Sequence, residues 1–247
     1  MNIGLYQSAT SLSALERWQD AVAQNITSSQ VTGYRKRTVE FSGTSAGERR
    51  LDPQASGDDA QSAIFPLASV GINFITGETQ PTRRELDVAI QGDGMFEVQL
   101  PDGGRAYTRN GEFHVRPDRT VVTTSDREVL TEAGTPVVLL PGGGTVTINA
   151  DGTIFQGDTA LGKLSIQKFA NPAVLSPIAG GMFRAPQGVV PTPVEKPVLM
   201  QGYLENSNVT PLREMVDLVV ISRAYEANQK MITAVDQSMQ KTLDALG

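Results

Sequence analysis

Two residue types decide where this chain can hold a helix. All fourteen prolines lie between Pro53 and Pro211, and no glycine occurs from 5 to 32 or from 203 to 246. Proline costs a helix interior about 3 kcal/mol and glycine about 1 kcal/mol relative to alanine. Both ends of the chain are therefore free to be helical, while the middle is crowded with turn residues. The distribution predicts a helical zone at each end and a β zone between them.

Apolar spacing sharpens this reading. Leu5, Ser8, Leu12, Leu15, Gln19, Val22 and Ile26 follow alternating steps of three and four. So do Leu218, Ile221, Tyr225, Asn228, Ile232, Val235, Met239, Thr242 and Leu246. That is the heptad rule, which gives a helix one narrow apolar seam and calls for a second helix against it. The helices should run over about 2–27 and 211–246, or roughly 40 and 50 Å at 1.5 Å per residue. Pro211 suits the first turn of the second helix. Polar seam members (Ser8, Gln19, Asn228, Thr242) would weaken pairing but fix its register. The partner helix could lie in the same chain or in a neighbour. The candidate packing seam is Leu5, Leu12, Leu15, Val22 and Ile26 with Leu218, Ile221, Tyr225, Asn228, Ile232, Val235, Met239 and Leu246.

The middle alternates as short strands do. "LDVAI" and "GMFEVQL" place Leu86, Val88, Ile90 and Phe96, Val98, Leu100 on single faces. Hairpin chemistry follows at "PDGG" and at Asn110-Gly111. Further strands are expected at 121–123, 137–140, 145–148 and 163–169. The expected fold is α+β: long, coiled-coil-like N- and C-terminal helices packed together, with a central antiparallel all-β domain of barrel-like or sandwich-like form. The expected domains are 1–35 with 205–247 (helical core), 36–84 (flexible or extended connection) and 85–204 (β). Residues 43–62 are polar and poor in large apolar side chains, as in segments ordered only by a partner.

Composition excludes several functions. A net charge of −6, with no basic run longer than Arg35-Lys36-Arg37, argues against nucleic-acid binding. The chain has no cysteine and one histidine, so the usual zinc sites cannot be assembled. His114 alternates opposite Phe113 and Val115 and reads as a surface strand residue. "GDGMFE" and "PGGGTV" lack the remaining residues of nucleotide-binding loops and read as tight turns. No run approaches the roughly 20 apolar residues of a membrane span, and the opening residues lack the basic start of a secretory signal. A soluble chain without catalytic, cofactor-binding or metal residues is expected.

Three ordered segments carry a resemblance. "AVAQNITSSQVTGYRKR" (21–37), "LDVAIQGDGMFEVQLPDGGRAYTRNGEF" (86–113) and "QGYLENSNVTPLREMVDLVVISRAYEANQKMI" (201–232) resemble the signatures of bacterial flagellar basal-body rod and hook proteins. The resemblance implies a non-catalytic structural subunit, exported by the flagellar type III apparatus and polymerising through its terminal helices into the axial rod. It implies packing against itself and other axial subunits, without membrane insertion, in the basal body across the periplasm. "RRELDVAIQGDG" followed by "YTRNG" is most similar to the proximal-rod type. The distal-rod type is the alternative, since "SRAYEANQKMI" is as similar to it. A hook protein would need an outer domain for which the chain has no room. Outside the family, a coiled-coil scaffold or adhesin and a wall-cutting hydrolase are the competing readings. The first would show a signal or anchor, the second paired carboxylates on rigid strands.

Overall fold

The structure is a computed structural model describing residues 3–49 and 61–244, with the side chains of 3–5, 44–49, 61–64 and 243 outside that description. Helix α1 (Ile3–Thr27) is followed by β1 (Arg37–Arg49), β2 (Gln61–Ile72), β3 (Thr79–Pro81), β4 (Val88–Gln91) and β5 (Met95–Gln99). Next come β6 (Arg105–Thr108), β7 (Phe113–Val115), β8 (Val121–Thr123), β9 (Glu128–Val129), β10 (Val146–Ile148), β11 (Thr153–Gln156) and β12 (Thr159–Lys163). The chain continues through β13 (Ile166–Lys168), β14 (Ser176–Ile178), β15 (Met182–Arg184), β16 (Thr192–Pro193), β17 (Val198–Gln201) and β18 (Tyr203–Glu205) to α2 (Pro211–Asp244). The described residues form two compact units that interleave along the sequence.

The first unit contains the chain up to Thr27, Arg37–Ile72, and everything from Thr210 on. Its α1 buries Ala14 and Ala21 on one flank and Ser8, Leu15 and Val22 on the other, with Asn25 also buried. A stripe that wide serves two partners. One is the antiparallel hairpin of β1 and β2, whose register pairs Val39 with Val70 and Phe41 with Ala68 on one face. Trp18 meets Phe41 edge-on at 5.6 Å, and the Arg17 guanidinium donates to the Ala68 carbonyl at 3.0 Å. The other is α2: the Ser8 hydroxyl lies 3.7 Å from the Met231 sulfur.

The second unit contains Ser28–Lys36 and Asn73–Val209. Its largest sheet has nine strands: the path β14-β15-β6-β5-β9-β8-β7, with β13 also on β5 and β16 on β13. All its pairings are antiparallel. The core gathers the inward side of each alternation, including Val88, Phe96, Val98, Phe113, Val121, Val129 and Leu164. Phe96 and Phe113 meet edge-to-face at 5.1 Å. The segment after α1 is pinned into this unit: the Gly33 N–H donates to the Glu205 carbonyl at 2.7 Å and the Thr32 hydroxyl to Asn110 at 2.8 Å. Gly33 has φ +67°, and a Cβ there would sit 2.5 Å from the Arg109 backbone, so only glycine fits.

The expected fold class needs correction. Strand residues outnumber α-helical ones in the described molecule, which has two α-helices, α1 of 25 residues and α2 of 34. They do not form a coiled-coil core of packed terminal helices. α1 shares its buried stripe with a β-hairpin, and beyond Ile221 no described residue of α2 is buried. Heptad counting registers spacing but cannot see that a hairpin occupies one flank. Residues 37–49 and 61–72 pair as strands where a flexible or extended connection was expected, while 50–60 of the polar stretch lie outside the described residues. The expected strand at 137–140 is reduced to isolated bridges at Pro136 and Val138.

Candidate subunit-packing surface

The opening of α2, "PLREMVDLVVISRAY", is apolar at seven of the ten positions from 212 to 221. With 3.6 residues per turn, such density puts apolar side chains on every side of the helix. The helix begins cleanly, with Pro211 at its first position and the Thr210 carbonyl accepting the N–H groups of Arg213 and Glu214. Its inward line holds Glu214 and Ile221, both buried, and Leu218, half-buried. Roughly opposite lie Leu212 (74% exposed), Met215, Val216 (56%), Val219 (53%) and Val220. Five large apolar side chains spaced over two and a half turns form one exposed stripe. On the outward face beyond it, Arg223, Lys230, Gln237 and Lys241 take over.

The seam residues of the sequence have unequal fates. Leu15, Val22 and Ile221 are buried; Leu12, Ile26, Leu218, Tyr225, Asn228, Ile232 and Val235 are half-buried. Met239 is exposed, and the Leu5 and Leu246 side chains fall outside the described residues. The outward stripe was missed, although its signal was present. "MVDLVVI" contains more apolar residues than one seam can use, and counting along a single line left Met215, Val216, Val219 and Val220 unassigned.

Each unit contains a buried polar network, and that of the first unit holds the start of α2. In the first unit the Asn25 amide donates to the Arg37 carbonyl and to Glu214 Oε2, both at 2.9 Å, while its oxygen accepts the Arg37 N–H at 2.8 Å. One side chain thus joins the end of α1, the start of β1 and the first turn of α2. The carboxylate of Glu214 also sits where the helix dipole favours negative charge. In the second unit Glu205 receives Arg35 at 2.5 Å and faces Arg109 at 3.4 Å. Burial pushes the Arg109 guanidinium below the usual arginine range, with Glu205 opposing that shift. These charges lie in "GYRKR", "YTRNG" and "YLENS", motifs visible in sequence whose pairing is spatial.

What the described geometry offers is packing. His114 is exposed on β7, and among the described residues no three His, Cys, Asp or Glu side chains cluster as metal ligands would. Nor is any described helix long and apolar enough to cross a membrane.

Comparison with known proteins identifies the setting of this surface. Residues 200–245, which include α2, match the family described as flagellar basal body rod FlgEFG protein C-terminal. Residues 89–156 match the flagellar hook protein FlgE/F/G D1 domain. The flagellar basal-body rod protein FlgG of Borreliella burgdorferi is 33% identical across 95% of this chain and 95% of its own length. The chain belongs to the flagellar basal-body rod protein family. The rod protein FlgF of Caulobacter vibrioides is 30% identical across 100% of this chain and 99% of its own. FlgG of Agrobacterium fabrum is 32% identical across 93% of this chain. This rod-family chain is accordingly a structural subunit of the flagellar basal body and not an enzyme.

Proposed function

We propose that the chain polymerises into the axial rod by seating the outward stripe of α2 against neighbouring axial subunits, including further copies of itself. The observation carrying this reading is the exposure of Leu212, Met215, Val216, Val219 and Val220 inside the family-matched segment. A contiguous apolar patch on a free subunit marks an interaction surface. The half-buried inward line from Leu218 through Val235 completes its cover in the same contacts. The chain reaches the rod through the flagellar type III export apparatus and takes the proximal-rod position. The "RRELDVAIQGDG" and "YTRNG" segments support that position.

Val216→Asp and Val219→Asp test the surface. Each puts a carboxylate where a neighbour's apolar side chains would cover it, at several kcal/mol if it stays charged and unpaired. The variant chains should accumulate and fold, and cells relying on them should be non-motile with incomplete rods. Lys230→Ala, on the polar part of the same face, should assemble. Normal motility with both aspartate variants would remove the stripe from the assembly contacts.

A further inference from the structure

The second unit contains a cleft of about 260 Å³ that subunit packing through α2 does not use. Phe74 and Phe169 supply apolar wall, Lys168 and Asp93 are exposed, and the buried Arg35 and Arg109 also line it. The charges there do not balance. Two buried guanidinium groups face one buried carboxylate, that of Glu205. Glu205 Oε1 is already shared between Arg35 and the Gly77 N–H, at 2.5 and 2.9 Å. Its Oε2 is 3.4 Å from Arg109 Nε and has no hydrogen bond among the described residues. Among the described residues Arg109 otherwise donates to neutral carbonyls, those of Ile90 and Gly92. The buried Arg35 Nε has no acceptor among the described residues. Asp93 acts on Arg109 more weakly than Glu205 does.

A buried positive charge in excess, beside an unused N–H, is costly unless an anion completes the set. A carboxylate matches the guanidinium fork with two oxygens, and the exposed Lys168 would draw anions to the mouth. The volume is below the roughly 300–1,000 Å³ of drug-sized sites, so the ligand must be small. We propose that this cleft binds a carboxylate carried on a small apolar body, either a free acid or an acidic side chain presented by another chain.

The test follows the Arg35 Nε–H signal by nuclear magnetic resonance in the full-length protein. Benzoate is titrated against benzamide, and acetyl-Phe-Glu-amide against acetyl-Phe-Gln-amide. The carboxylates should shift the Arg35 signal saturably and the amides should not. Binding of benzoate alone assigns a free acid, and binding of the glutamyl peptide assigns a side chain. Lys168→Glu at the mouth and Ala170→Trp in the lining leave the buried arginines and Glu205 in place, and each should weaken binding about tenfold or more, roughly 1.4 kcal/mol. An unchanged Arg35 signal in the ligand-free variants shows that the buried set is intact. The proposal is overturned by an absent or unsaturable shift with both carboxylates, by an equal response to the amides, or by unaltered affinity in both variants.

Discussion

Asn25 shows how much one side chain can settle. It satisfies both backbone groups of Arg37 and holds the buried Glu214, so Asn25→Leu should remove three hydrogen bonds and leave a carboxylate short of a donor. Hydrogen bonds to charged groups contribute about 1.5–3 kcal/mol and neutral ones about 1. Urea unfolding should record a loss of about 3 kcal/mol, and a loss under 0.5 would show that the network is dispensable. Acid sensitivity is also set residue by residue. Asp102, Asp118 and Asp151 each accept the N–H two residues on, from Gly104, Thr120 and Thr153, which holds each carboxyl below its ordinary value of 3.8. Their stabilising effect is present above about pH 4 and lost as pH falls through the lower folded values. The triple Asp→Asn variant should show a shallower acid limb in a stability–pH profile than the parent. At this scale the sequence was only half legible. "AQNITSSQ" and "YLENS" stood out as motifs, but Arg35 meets Glu205 across 170 positions, and no spacing rule links them.

Elements were more legible where one face is buried. β10 falls at Val146–Ile148, inside the expected 145–148, because exposed Thr147 between buried Val146 and Ile148 keeps a period of two. The β1–β2 hairpin was not visible, since "SGTSAGER" supplies small and polar residues where alternation needs large apolar ones. In α2 the periodic line was legible and the stripe opposite it was not, because a single seam was counted in a segment apolar on all sides. The two faces should respond differently to truncation in the free chain. Ile221→Ala opens a buried space and should cost about 2–4 kcal/mol. Val219→Ala removes exposed atoms and should stay within about 0.5 kcal/mol. Equal losses in thermal unfolding would mean that the outward stripe is already covered in the free subunit.

For the whole molecule, the two units interleave in a way that the linear boundaries at 35 and 205 do not respect. Ser28–Lys36 and Asn206–Val209 belong with the β unit, and cutting at 36 and 204 would remove Arg35 and Glu205 while leaving Arg109 buried and unpaired. Removing a partner from a buried ion pair costs about 3–5 kcal/mol. The fragment 28–209 should therefore fold by circular dichroism and urea titration, and 36–204 should be weaker by about that amount or fail to fold. Equal stability would deny the buried charges their structural role. The central claim, that this family member is an axial subunit, is tested most directly by electron microscopy of basal bodies from cells in which a labelled copy replaces the native chain. Label density on the rod axis, with rods truncated when the gene is deleted, is the result expected. Complete, unlabelled rods in labelled cells, or complete rods in the deletion strain, would contradict it.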